Sequence, residues 1–571
     1  MNKQLVKKRT KTWLVLLGIF LLAFLLRICK VYDYPPLSWD EAALGYNAFS
    51  ILETGRDEHG KLLPLIFKSF GDYKPGFYVY LAIPFVKLLG LSQLATRLPG
   101  VILGSLTPMV LYLLVSEITK KRKIAILSAA FLAFLPWHIH FSRGAWESSV
   151  MVFFVTLGSW LFIKGCKSSI SKKNSHLAFS LIPFLLALWT YQGAKLFIPI
   201  VLAGLFVLYF KNLKSWYFKN RRNGKELTLI LLTAVLACCW YLQSFSGPES
   251  NRLKAMSIFS YREPITSVDT VLKEDGLAEK DLHYYLFHGE WIHFTRSIML
   301  RYFNHFSPRF LAFDGDWSNP RYSAPHFGMI GLPVLVLVLI GLASCYSKGL
   351  IKGDKFMIYW LLASPLPSAL TRDIVSGVRA LPMVIPLCYF AARGLVYIIN
   401  MQLFKNALIK LIGCTFIFSV FTITFGYYLD LYYNHLVFES RKDWLYGYRE
   451  AVSFVRENRE GVDNILFSDF YGQPYIYYLF YSQYSPEKYQ RENNQADVGS
   501  IDMGRVGEVD NIIFKGLSWH DGKSLKNTLF VFSDEDIIRS EIIMGEAIRP
   551  LLIPLGNNDR GGSTFYGYKS K

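Results

Sequence analysis

Two acidic residues, Asp40 and Glu41, stand side by side in Tyr34-Pro-Pro-Leu-Ser-Trp-Asp-Glu-Ala-Ala-Leu-Gly-Tyr46, just after the first long apolar run. Ser38 is placed to cap a helix, and acids in a first turn oppose the helix dipole, so a capping role is the plain expectation. A carboxylate at this place has a second use, because it can withdraw a proton from a substrate hydroxyl at the membrane surface. Lys74, in Gly71-Asp-Tyr-Lys-Pro-Gly-Phe-Tyr78, would sit at headgroup depth, where an ammonium either snorkels or holds a phosphate. Farther on, Arg143 and Glu147 lie in Trp137-His-Ile-His-Phe-Ser-Arg-Gly-Ala-Trp-Glu-Ser148. Glu147 falls on the same expected face as Asp40, so the two could share one cavity. His138 and His140 have i, i+2 spacing, which on a helix points them apart rather than at one metal.

Five more cations gather on that face: Arg301, Arg309, Arg321, Arg372 and Arg379. A guanidinium grips phosphate through two parallel hydrogen bonds. One such arginine is an ordinary snorkelling or paired side chain, but five outside, against the positive-inside tendency, suggest an exterior anion site. Asp314 and Asp316 hint at a calcium loop. The twelfth position is Pro325 instead of Glu and the glycine is misplaced, so that match fails.

The elements that must position these groups follow from composition. Of 571 residues, 52% are hydrophobic and only 18% charged, which excludes disorder, a disulfide scaffold and an ordinary soluble enzyme. Apolar runs of spanning length recur at about 12–29, 97–117, 124–141, 148–164, 177–192, 195–210, 227–245, 327–346, 356–370, 378–400 and 408–429. The expected fold is thus a polytopic α-helical membrane protein with about 11 transmembrane helices. Residues 76–91 look like another span, but counting them would place Lys120–Lys123 outside; short and interrupted by Pro84 and Lys87, they read as a helix in the outer interface, with a true short span as the alternative. The formal charge of +19 sits in short basic clusters between runs, among them Lys120–Lys123 and Lys348–Lys355. They put the amino terminus in the cytoplasm and the carboxyl-terminal domain outside. Nucleic acid is not the implied partner. The seven cysteines lie in or beside spans, so no disulfide framework is expected outside.

Residues 1–430 therefore form the membrane module, with outer loops 31–75 and 246–326. Residues 431–571, where acids outnumber bases, read as a small extracytoplasmic α/β domain. Its strands are expected at Asn464–Ser468, Asn511–Phe514 and Thr528–Phe532, with helices at 447–458 and 473–483. No P-loop, no dinucleotide fingerprint, no paired CxxC and no HExxH occurs. Activated sugars and ATP are cytoplasmic, so an anion site beside carboxylates on the outer face implies a donor delivered in the lipid. A polyprenyl-phosphate sugar has the phosphate and the leaving group such a site needs.

These residues resemble the GT-C glycosyltransferases that use polyprenyl-phosphate sugars, specifically the protein O-mannosyltransferase and lipid A aminoarabinose transferase superfamily. The resemblance covers about 12–400. Trp39-Asp40-Glu41 is similar to that family's Asp-Glu motif, Tyr73-Lys74-Pro75 to its Lys-Pro-Pro stretch, and Arg97-Leu-Pro-Gly100 to its Arg-Leu-Pro motif. Glu147 stands where the family has a second acid, and Thr190-Tyr-Gln-Gly-Ala-Lys-Leu-Phe197 is also similar. Departures are Ala43 in place of an arginine, Tyr73 in place of Glu, and Gly76 in place of the second proline. The resemblance implies an inverting transfer of sugar from a polyprenyl phosphate to a glycan, lipid or protein acceptor at the outer face of the plasma or inner membrane. Asp40 is then the expected base, with Glu147 and Glu41 as further acids. Lys74, Arg301, Arg321 and Arg379 are expected to hold the donor phosphate, and Trp39, Tyr191, Gln192 and Arg143 to line the sugar or lipid. A divalent metal is left open. The competing reading is a transporter or flippase of lipid-linked sugar.

Overall fold

The computed structural model describes residues 3–70, 72–167, 176–220, 224–246, 256–260, 263–276, 282, 284–402, 406–492, 504–556 and 562–570. Gly71, the basic turns at 168–175 and 221–223, and parts of the polar segment after 246 fall outside these. By contacts the chain divides into two units, Met1–Arg27 with Gly100–Leu431, and Ile28–Pro99 with Tyr432–Lys571.

The first unit is helical. Among the described residues seven helices are long and apolar enough to cross a membrane: Thr10–Ile28, Gln93–Thr119, Glu147–Lys167, Ala194–Phe218, Gly224–Gln243, Leu381–Ile399 and Ala407–Glu439. A bent pair, Arg122–Phe134 and Pro136–Arg143, is long and apolar enough only when taken together and turns by 56°. Pro136 has no N–H to continue the first helix, which is why the break falls there. The remaining expected spans, 177–192, 327–346 and 356–370, coincide with shorter helices, His176–Leu188, Leu332–Ser347 and Lys352–Ala363. The chain is a multi-pass membrane protein. Leu332–Ser347 and Val384–Ile399 cross at backbone contact, since a Cβ on Gly341 would stand 1.9 Å from the Phe390 carbonyl oxygen. All seven cysteines are thiols.

The second unit contains the strands. β1 (Ile66–Ser69) and β2 (Asp72–Pro75) form a hairpin that pairs Phe67 with Lys74. The helix Phe77–Leu89 follows and ends at Gly90, whose φ of 71° suits a residue without a side chain. The carboxyl-terminal sheet contains β3 (Asn464–Ser468), β4 (Glu508–Val509), β5 (Ile512–Lys515), β6 (Thr528–Ser533), β7 (Ile553–Leu555) and β8 (Phe565–Lys569). Its order is β4-β5-β3-β6-β8-β7, with β3 parallel to both β5 and β6. Helices Tyr448–Asn458 and Pro474–Ser482 stand where the periodicity places them. A core of Leu466, Phe530, Phe532, Trp519 and Ile537 holds one face of the sheet.

The amino-terminal loop is built into this unit. Tyr477 donates to the Leu37 carbonyl at 3.1 Å and Tyr46 to the Tyr484 carbonyl at 3.1 Å. The Gln490 amide donates to Ser50, Thr54 and the Asp57 carbonyl together.

Candidate functional site

Ser38 caps the helix Trp39–Thr54 and completes a capping box with Glu41, whose Oε2 accepts from the Ser38 N–H at 3.1 Å. Both oxygens of Glu41 also take the Arg97 guanidinium, Nε to Oε1 and Nη2 to Oε2, each at 2.8 Å. Arg97 spends its remaining donors on the carbonyls of Val31, Pro35 and Pro36. Glu41 is 1% exposed, and its charge is consumed in fixing the loop. Asp40 points elsewhere. Its side chain is one-third exposed, and its Oδ1 meets the Lys74 ammonium presented by β2. The same ammonium lies 5.6 Å from the Phe70 ring, and Trp39 packs on that ring at 6.4 Å. Gly76 is forced by the hairpin, because a Cβ there would stand 2.4 Å from the Phe67 ring.

In the first unit Arg379 forms an ion pair with Asp373. Burial works most strongly against the guanidinium charge, but Asp373, Tyr191 and Tyr322 together outweigh it and hold the group above its ordinary range. The Tyr191 hydroxyl shares this field. Burial pushes it up, Arg379 pulls it down, and Tyr322, Glu147 and Asp373 all act on it. Arg379, Tyr191 and Glu147 are thus brought into one neighbourhood, with Tyr322 packed edge-on to Trp146 at 5.5 Å.

Buried polar staples hold the turns that carry these groups. Asp316 accepts from the N–H of Gly377 at 2.6 Å, and of Ser318 and Asn319 at 3.0 Å. Burial nonetheless pushes its carboxyl up to about 7. His305 donates from Nδ1 to the Arg301 carbonyl and accepts at Nε2 from the Ser376 N–H, a neutral arrangement that agrees with burial moving it down to about 4. Arg301 is 3% exposed and donates to the Arg372 carbonyl at 3.2 Å and to Ser297. Its guanidinium fastens the 371–379 turn. Arg321 donates its N–H to Asn319, and its carbonyl faces His140 Nε2 at 2.7 Å. Arg143 is fully buried and donates to the Leu26 carbonyl at 2.8 Å, where it closes the end of the first helix. Gln192 stands in the same turn as Tyr191, where its carbonyl accepts from the Lys195 N–H. His138 faces Arg27 at 2.8 Å, so the two histidines contact different groups.

Residue types and spacing left several participants unmarked. Arg97 as the partner of Glu41, and Asp373, Tyr322, Asp316 and His305 around Arg379, are set by contacts distant in sequence. Asp316-Trp-Ser318-Asn319 was the one local signal, a carboxylate placed to accept from N–H groups two and three residues on. Among the described residues no group of three or more His, Cys, Asp or Glu side chains could hold a metal ion. With Glu41 consumed by Arg97 and Asp40 facing Lys74, these residues do not fit a divalent metal, and no step is routed through one.

Residues 17–246 match the family described as dolichyl-phosphate-mannose-protein mannosyltransferase. A search of curated proteins by sequence finds no match. Among solved structures, ArnT from Cupriavidus metallidurans bound to undecaprenyl phosphate superposes with a TM-score of 0.52 at 11% identity, covering 98% of each chain. Archaeal oligosaccharyltransferase AglB from Archaeoglobus fulgidus, in complex with an inhibitory peptide and a dolichol-phosphate, gives 0.49 at 13% identity. That likeness covers 83% of this chain and 64% of AglB. The S. cerevisiae protein O-mannosyltransferase Pmt1-Pmt2 complex bound to the sugar donor gives 0.32 at 16% identity, over 44% of this chain and 36% of that one. Residues 17–246 are thus similar to that mannosyltransferase family, and the chain shares the fold of ArnT.

Proposed function

We propose that this protein is a membrane glycosyltransferase of the GT-C superfamily, moving a sugar from a polyprenyl phosphate to a hydroxyl of its acceptor at the extracytoplasmic face, with inversion at the anomeric carbon. The observation that carries the reading is the division of labour between adjacent acids: Glu41 is sealed in the Arg97 fork, while Asp40 is left exposed against Lys74. The donor class is supported by the description of the matched family and by the undecaprenyl phosphate bound to ArnT.

Asp40 takes the proton from the acceptor hydroxyl as that oxygen bonds to the anomeric carbon. The bond from that carbon to the phosphate oxygen breaks, and the electron pair leaves with polyprenyl phosphate. A single displacement inverts the centre. Lys74 pairs with the Asp40 carboxylate and orients it. Within the first unit, Arg379 and Arg321 carry guanidinium groups of the kind that grip a phosphate. Arg301 and Arg143 act as positioning residues for the turns they fasten, and Glu147 acts from the N-terminal end of its helix beside Tyr191.

The test uses purified protein in nanodiscs with a panel of radiolabelled polyprenyl-phosphate sugars, following release of polyprenyl phosphate when membrane extract supplies acceptors. Release from one donor that is lost in Asp40→Asn supports the reading. A folded Asp40→Asn with full activity refutes the base, and donors bound but never consumed would favour transport of the lipid-linked sugar.

A further inference from the structure

The carboxyl-terminal sheet has one place where its wiring opens a crevice. From β3 the chain crosses to β5 on one side, then returns to β6 on the other, so the connections leaving β3 and β6 part at their carboxyl ends. Ligands of open parallel sheets bind at such points. In this protein the turn after β3, Asp469 to Gln473, lies directly on the residues that flank Asp40. A Cβ on Gly472 would stand 3.3 Å from the Trp39 ring. Gln473, 4% exposed, donates to the Gly504 carbonyl at 2.8 Å, and Gly504 donates to the Phe70 carbonyl at 2.6 Å. The connection that leaves β3 therefore reaches the Asp40–Lys74 pair at two places, through Trp39 and through Phe70.

What these loops present has a recognisable chemistry. Phe470 is 38% exposed, and the Arg539 guanidinium stands 4.8 Å over its ring. The neighbouring charges are matched: Asp469 pairs with Arg505 at 2.9 Å, and Asp534 with Lys442 at 3.3 Å. A charge-balanced rim offers little net attraction to a phosphate or an acidic peptide. An extended peptide would need an open strand edge, and those edges belong to β4 and β7, at the far sides of the sheet. An aromatic ring bordered by paired carboxylates and guanidinium groups suits a sugar, which stacks its C–H face on the ring and shares its hydroxyls among the charged groups.

We propose that the crevice at the carboxyl ends of β3 and β6 is an acceptor subsite for a neutral saccharide, with Phe470 and Arg539 as its platform. It rests on the reading of Asp40 as the base, because it supplies the acceptor for that carboxylate. The experiment measures binding of maltotetraose, cellotetraose and mannotetraose to the full chain in detergent by saturation-transfer NMR and calorimetry. The expected result is that at least one binds, that Phe470→Ala and Arg539→Ala each weaken it at least tenfold, and that Phe470→Tyr restores binding. Binding of none of the three overturns the proposal. So does equal affinity in the alanine variants, or a Phe470-dependent interaction with a serine-rich peptide instead. Asp40→Asn separates the two claims: it is expected to bind the tetrasaccharide and form no product. If it forms product while Phe470→Ala still loses binding, the base assignment falls and the subsite stands.

Discussion

Asp40 and Glu41 are chemically alike and adjacent, yet removing each charge should have opposite consequences. Glu41→Ala strands the buried Arg97 guanidinium, and breaking such a pair costs about 3–5 kcal/mol. We expect a large fall in thermal unfolding temperature, read in detergent. Asp40→Asn touches a partly exposed pair, so the protein should stay folded while transfer drops by roughly 10²–10⁴, the usual worth of a general base. Equal destabilisation by both substitutions would refute this division. A third acid belongs at this scale. Glu58 is 1% exposed, its Oε1 accepts from Asn47 at 3.1 Å, and burial raises its carboxyl to about 8. Its folded value exceeds the ordinary 4.5, so the stability it adds is complete below that pH and is lost as pH rises through about 8. Thermal unfolding across pH 4.5–8 should show this slope in the wild type and a flatter one in Glu58→Gln.

At the scale of elements, the bends and crossings depend on single side chains. The bent span leaves carbonyls without helical partners, and Arg27 takes two of them, Ala133 at 3.1 Å and Leu132 at 3.5 Å, while its Nε donates to Ser142. Arg27→Leu would leave those carbonyls unpaired in an apolar setting, at about 1–3 kcal/mol for each buried group left without a partner. Helix crossing is more demanding. Gly341→Val should lower the unfolding temperature sharply, since even one methyl meets the Phe390 carbonyl oxygen. Gly426→Val, where nothing lies within 4 Å, serves as the control and should change it little. Similar shifts in both would mean the crossing tolerates separation.

For the whole molecule, the notable arrangement is that residues 28–99 share a unit with the carboxyl-terminal domain. The Asp40 turn is therefore supported from behind by residues more than 400 positions away, through Tyr477 on Leu37 and Gly472 on Trp39. A chain ended after Leu431 loses those contacts and exposes the aromatic face around Tyr46 and Phe70. We expect it to aggregate or elute late and broad on size exclusion, and to release no polyprenyl phosphate. A monodisperse, active truncation would show that the domain is dispensable for positioning Asp40.

Much was legible in local pattern. Apolar runs report spans because the hydrocarbon demands a fixed length of unbroken helix, and three parallel strands were visible as short β-branched and aromatic runs. Ser38 announced its helix because capping is a contact of near neighbours. Helices of 12 to 16 residues at three expected spans were not visible, since hydropathy does not register where a proline or a turn ends the backbone ladder. The strands β7 and β8 escaped because glycine and proline interrupt their pattern. By itself the sequence determined a polytopic membrane chain, a polar carboxyl-terminal α/β domain and the identity of the acids and cations available for chemistry. Only tertiary structure decided which acid is buried in a guanidinium fork and which is one-third exposed beside an ammonium. Burial and pairing depend on groups far apart in the chain, such as Arg97 for Glu41 and Lys74 for Asp40, and no local spacing encodes them.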